Sequence, residues 1–168
     1  MKLTRTARSQ EPARSMSEAD PTHSPLARDQ RAFYPSLRGK RVLVTGGGSG
    51  IGAGMVEGFV RQGAKVTFFD IAEEDSAALV ESLKGADTAP VFQRCDLTDV
   101  AAVQAQIKAL IDENGAFDIL INNAANDDRH TIEEVTEEYW ENRLNVNLKH
   151  LFFCAQAVVP GMREKGGP

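Results

Sequence analysis

Residues Val44–Gly52 read VTGGGSGIG, with five glycines in nine positions. Glycine between two ordered elements costs conformational entropy, so its use there calls for a ligand or another backbone approaching closely. Upstream, Arg41–Thr45 (RVLVT) is a short β-branched run of the kind that forms a buried strand. Downstream, Ile51–Gln62 sets Ile51, Met55, Val56, Phe59 and Val60 at helical spacing, and Gly63 closes the helix. Strand, glycine turn and helix together read as the opening of a βαβ unit.

The pattern then repeats. Lys65–Asp70 (KVTFFD) reads as a second strand, and Asp75–Leu83 as a helix with Ala78, Leu79 and Leu83 on one face. Pro90–Cys95 is a third, weaker strand. Val100–Ile111 is a helix with Val103, Ile107, Leu110 and Ile111 on one stripe, and Phe117–Ile121 (FDILI) is a fourth strand. Thr136 can cap a last, long helix whose first turn holds Glu137 and Glu138, where the helix dipole favours negative charge. That helix runs through Trp140, Leu144, Leu148, Leu151, Phe152 and Ala155, and Pro160 is expected to kink or end it. Alternating strands and helices predict an α/β fold with a parallel sheet covered on both faces. Right-handed crossovers give a Rossmann-type, doubly wound sheet with strand order 3-2-1-4.

Composition narrows the function. The net charge of −5 argues against a nucleic-acid partner, which usually meets a basic face. No stretch is long and apolar enough to span a bilayer. Residues 1–35 are rich in Ser, Thr, Pro, Arg and Ala and read as a disordered tail. Its Arg/Ser-rich start is similar to a mitochondrial presequence, against which stand Glu11, Glu18 and Asp20. Two cysteines, Cys95 and Cys154, make no disulfide framework, so a reducing compartment, the cytoplasm, is the default.

The glycine run lies where a pyrophosphate can rest on bare backbone, against the amides and dipole of the following helix. A purely structural turn is the plainer alternative. Asp70 ends the second strand, where a carboxylate accepts hydrogen bonds from adenosine ribose hydroxyls and repels a 2′-phosphate. Gly47, Gly48, Ser49, Ile71 and Ala72 offer no Arg or Lys for such a phosphate, which favours NAD over NADP. A turn-capping Asp is the alternative there.

The spacing Thr45-Gly46-x-x-x-Gly50-x-Gly52 resembles the short-chain dehydrogenase/reductase family. Three further segments resemble it in the same order: CDLTD (Cys95–Asp99), INNAA (Ile121–Ala125) and NVNLKHLFFCAQAVVPGM (Asn145–Met162). The resemblance covers about residues 36–168, as the N-terminal part of an NAD-binding domain. It implies cofactor contacts at Gly46, Ser49, Gly50, Ile51, Gly52, Asp70 and Ile71. It also implies that Asp96 bonds the adenine amino group, that Leu97 lines the adenine pocket, and that Asn123 and Ala124 border the cofactor. Asn147 falls at the position of the catalytic-site asparagine, whose implied role is to bind a water that relays a proton. Read without the resemblance, Asn147 is a mid-helix polar residue that bonds backbone and bends the helix. NNAANDDRHTIEEVTEEYW and YPSLRGKRVLVTGGGSGIGAG are similar to bacterial sugar 1-dehydrogenases, in particular NAD-dependent D-xylose dehydrogenases. The resemblance then implies oxidation of an aldose at its anomeric carbon to a lactone. It also implies homo-oligomers in full-length relatives.

Two departures stand out. Ala125 replaces the family's usual glycine, which is tolerable if φ is negative. The family's catalytic Ser and Tyr-x-x-x-Lys pair fall beyond Pro168; Tyr34 and Tyr139 are the only tyrosines and neither has Lys four residues later. The chain is therefore expected to be inactive alone. A silent nucleotide-binding fragment and a reductase of keto or acyl substrates are the rival readings. Asp127–His130 (DDRH) suggests a metal site only faintly, and more simply a loop bordering the substrate pocket. The acidic run Glu133–Glu141 reads as a solvated helix start. Trp140, Phe152 and Phe153 read as core or subunit interface.

Overall fold

Four parallel strands, β1 (Arg41–Thr45), β2 (Lys65–Asp70), β3 (Val91–Arg94) and β4 (Ile119–Asn122), form one sheet in the order β3-β2-β1-β4. The structure is a computed structural model that describes residues 32–166. Most of the expected tail, residues 1–31, lies outside the described residues. The register aligns Val42 with Val66 and with Ile119, so β1 is central and its side chains must be apolar on both faces. Val42 and Val44 join Val56, Val60, Ala64, Val66 and Phe68 in one core. Leu43 joins Phe69, Cys95, Leu97, Val103, Ile107, Phe117, Cys154 and Val158 in the other. Each fully buried Val, Leu or Phe contributes about 1.5–3 kcal/mol, so both helical layers are firmly held.

The helices are α1 (Gly50–Arg61), α2 (Glu73–Ser82), α3 (Val100–Asn114), α4 (Glu137–Leu144) and α5 (His150–Glu164). Helix α1 ends as the sequence predicts, with Gly63 at φ +77° just past it. Helix α2 starts before Asp75, at Glu73, because three acidic residues in its first turn complement the dipole. Asp99 caps α3 by accepting from the Ala102 amide, and Thr136 caps α4 by accepting from the Tyr139 amide.

Three expectations need correction. The long helix is interrupted by a π turn, Asn145–Lys149, between α4 and α5. Of the two outcomes expected at Pro160, a kink or an end, the end is excluded, because α5 continues to Glu164. Of the two readings of Trp140 and Phe152, core or subunit interface, the core is excluded, since they are 60% and 64% exposed; the sheet is met instead by His150, Cys154 and Val158. Ile51 and Met55 likewise face outward from α1, which buries Gly52, Val56 and Val60.

Candidate cofactor site

The site forms where β1 runs into α1. Gly46 turns at φ +66° and Gly50 at φ +53°, conformations that L side chains rarely adopt. Gly46 and Gly47 both donate their amides to the Phe69 carbonyl, which closes the loop onto β2. Gly52 packs so tightly that a Cβ there would lie 1.8 Å from the Gly46 oxygen. Around Gly50, by contrast, a Cβ would meet nothing within 4 Å. Ser49 is the N-cap residue of α1 but its side chain makes no capping bond, and no acidic residue sits in the first turn. The positive end of α1 thus opens onto free space, with Ile51 76% exposed beside it.

Asp70 is fixed by three backbone amides. Its Oδ2 accepts from Gly48 at 2.8 Å, and its Oδ1 from Ile71 at 2.8 Å and Ala72 at 2.9 Å. The carboxylate is therefore presented on the rim of the glycine loop. On β3's side, Asp96 is exposed and its Oδ1 accepts from the Thr98 hydroxyl at 2.7 Å and the Thr98 amide at 2.9 Å. Those bonds, led by the hydroxyl, hold its carboxyl below the ordinary carboxylate value. Leu97 is turned into the core, where it packs with Leu43 and Val103.

Asn123 works as a bracket. Its amide nitrogen Nδ2 donates to the Thr45 carbonyl at 3.1 Å and the Gly46 carbonyl at 2.9 Å. Its backbone amide and that of Ala124 both donate to the Thr45 hydroxyl, at 3.0 and 3.2 Å. Gly46 can approach this segment only as glycine, since its Cβ would lie 2.7 Å from the Ala124 Cα. No described non-glycine residue has positive φ, so Ala125 sits in the backbone conformation that tolerates its methyl group.

Asn147 lies in the π turn, a feature common at functional sites. Its Oδ1 accepts from the Asn126 amide at 2.7 Å and its Nδ2 donates to the Asn126 carbonyl at 2.9 Å. Both ends of its amide thus clamp the loop after β4. That loop is further held by Arg143, which donates to Asp128 at 2.9 Å, and by Tyr139, whose hydroxyl meets His130 Nδ1 at 2.6 Å. Alongside runs a cavity of about 490 Å³, lined by His130, Ile132, Val135, Tyr139, Trp140, Arg143 and Leu144. It touches none of the glycine-loop residues. Among the described residues no group of three or more His, Cys, Asp or Glu side chains could hold a metal ion.

A family model described as short chain dehydrogenase matches residues 40–168. The chain belongs to the short-chain dehydrogenase family. Within the family, it is 58% identical over 136 residues to the D-xylose 1-dehydrogenase of Caulobacter vibrioides (strain NA1000 / CB15N), covering 81% of this chain and 53% of that protein. It is 53% identical over 135 residues to the "Probable galactose dehydrogenase GalD" of Rhizobium meliloti (strain 1021), covering 80% and 53%. The solved structure of the NADH-dependent reductase A1-R' complexed with NAD aligns with a TM-score of 0.70 at 29% identity, over 79% of this chain and 55% of that one. That of Thermoplasma acidophilum aldohexose dehydrogenase aligns with a TM-score of 0.66 at 29% identity, over 78% and 47%. The chain spans about half the length of the curated relatives it matches.

Two residues near this candidate site carried no signal in the sequence. Arg94 is the register partner of Asp70 across β2 and β3, and its Nε lies 2.7 Å from Glu73 Oε1. His150 is fully buried behind the Asn147 turn. Only strand pairing and helix phase bring them there. Among the described residues no helix is long and apolar enough to cross a membrane.

Proposed function

We propose that this chain binds NAD and supplies the cofactor-binding part of a dehydrogenase that oxidises an aldose at its anomeric carbon to a lactone. The observation that carries the reading is the Asp70 carboxylate, locked by three amides beside the uncapped N-terminus of α1. Gly46, Ser49, Gly50, Ile51 and Gly52 give a pyrophosphate its backbone cradle. Asp70 accepts from the adenosine ribose hydroxyls, with Ile71 beside it, and opposes a 2′-phosphate. Asp96 has one carboxylate oxygen turned to Thr98, which leaves the other to accept from the adenine amino group, with Leu97 next in sequence. Asn123 and Ala124 shape the floor under the cofactor, and Asn147 orders the loop beside which a proton-relaying water binds.

Bound NAD would supply the hydride acceptor for oxidation of the sugar. The hydroxyl proton needs a separate base. Tyr139 does not serve, because its hydroxyl is engaged by His130 and the Asp128 carbonyl. The 168-residue chain alone is therefore expected to bind cofactor without turnover. The sugar relatives support the substrate class, and two unpaired, buried cysteines fit a cytoplasmic setting.

Titration of the chain with NAD and NADP by calorimetry tests the reading. NAD should bind in preference to NADP, and Asp70→Ala should narrow the difference. Equal affinity for both in the unmutated chain would refute the choice of cofactor.

A further inference from the structure

We infer that His150 is a positioning residue: a neutral imidazole, protonated on Nδ1, that ties the π turn carrying Asn147 to the bracket beneath the glycine loop. His150 is fully buried at the junction of the π turn and α5. Its Nδ1 lies 2.5 Å from the Val146 carbonyl, and Val146 is a residue of the π turn. A carbonyl only accepts, so Nδ1 carries the proton.

The other nitrogen settles the charge. Nε2 lies 3.4 Å from the Thr45 hydroxyl. That oxygen already accepts the Asn123 and Ala124 amides, which fill both its lone pairs. An imidazolium would direct a third N–H at it. A neutral ring instead accepts the hydroxyl's own proton, for which the rival acceptor among the described residues is the Ile121 carbonyl at 3.5 Å. Thr45 is then fully used, with one bond given and two received. Burial also lowers the pKa of His150, with the Val146 bond acting the other way.

One polar chain results. It runs from the Val146 carbonyl through His150 to Thr45, then to Asn123 and the Gly46 carbonyl. Asn147, next to Val146, clamps Asn126. A π turn is a rare, strained insertion, and a side-chain donor on one of its carbonyls helps to hold it. An apolar residue at position 150 would fill the space but leave the Val146 carbonyl and the Thr45 hydroxyl without this partner. The turn could then relax toward an ordinary helix, releasing Asn126 and loosening the glycine loop together.

The test uses the ¹⁵N-labelled 168-residue chain. A long-range ¹H–¹⁵N spectrum at pH 7 should show His150 with a protonated Nδ1 and a bare Nε2. His150→Leu should move the amide signals of both Gly46 and Asn126. His150→Asn, whose amide replaces the Nδ1–H, should restore Asn126 while Gly46 stays shifted. NAD affinity should fall roughly fivefold in His150→Leu, the scale of one net hydrogen bond. Only this last readout rests on the NAD reading. If the unmutated chain binds no NAD, that reading fails, while the ring spectrum and the amide shifts still decide the inference. Protonation on Nε2 or on both nitrogens would overturn it. So would Gly46 and Asn126 signals that stay in place in His150→Leu; should that variant not fold, His150→Asn and the tautomer decide.

Discussion

Gly52→Ala isolates the geometric demand of the glycine loop from glycine's general cost. A methyl group at position 52 would lie 1.8 Å from the Gly46 oxygen, 2.7 Å from Asn123 Nδ2 and 2.8 Å from the Gly46 carbon. Real Cβ atoms essentially never come within 3.0 Å, so the loop must retreat by more than 1 Å. Two of the three atoms are backbone and the third is the donor that brackets it. The retreat therefore also breaks the Asn123–Gly46 bond. Overpacking of this kind costs about 3 kcal/mol, against a typical domain stability of roughly 5–15 kcal/mol. The same helix supplies controls. A Cβ on Gly54 or Gly58 would meet nothing within 4 Å, and both are helical. Alanine at either should stabilise by about 0.5–1 kcal/mol through helix propensity. Urea unfolding followed by far-UV circular dichroism should thus separate Gly52→Ala from Gly58→Ala by about 4 kcal/mol. Equal midpoints for the two would refute the close-approach reasoning.

Glu73→Gln should improve NADP binding, because it releases the Arg94 guanidinium beside Asp70; calorimetry that shows unchanged NADP affinity would contradict this. Stability should fall as pH drops below about 6.5, the ordinary value for histidine, because the unfolded His150 then takes a proton that the buried ring resists. His150→Asn should flatten that segment, leaving a separate loss at more acid pH. Asp118 contributes to that loss, since its carboxyl is pushed up by burial but held low overall by the Arg41 amide and by Lys165. Cys95 and Cys154, pushed up by burial to about 11 and about 12, should resist a thiol reagent at pH 8 in the native chain and both react in urea. Trp140, Leu144, Leu148 and Phe152 are all exposed, so light scattering should show concentration-dependent association that Phe152→Glu weakens.

Much of this was legible because burial on both faces leaves a plain mark. Val42–Thr45 of β1 and Val66–Phe69 of β2 are unbroken apolar or β-branched runs, and the cap at Thr136 is a local signal that depends on no distant contact. The long helix was harder. Its sequence carries two apolar faces, one through Leu148 and Phe152 and one through Cys154 and Val158. Periodicity locates such faces without choosing which meets the sheet. The inserted residue of the π turn changes the phase between α4 and α5 and has no compositional signature of its own. Arg94 was missed for a different reason. Its place beside Asp70 depends on the parallel register of β2 and β3, which sets residues 24 positions apart side by side.

The polar side chains at the site share one habit. Asp70 holds three amides, Asn123 two carbonyls, Asn147 an amide and a carbonyl, and Thr45 two amides and a ring nitrogen. Their first task is to shape main chain, which fixes the loop before anything binds. Preorganisation of this kind lowers the ordering cost of association. In the proposed cofactor complex, recognition then falls to groups still facing outward, the uncapped amides of α1 and the outer lone pairs of Asp70 among them. Substitutions that leave those groups in place but break a bracket should therefore weaken binding through the shape of the loop, not through a lost contact.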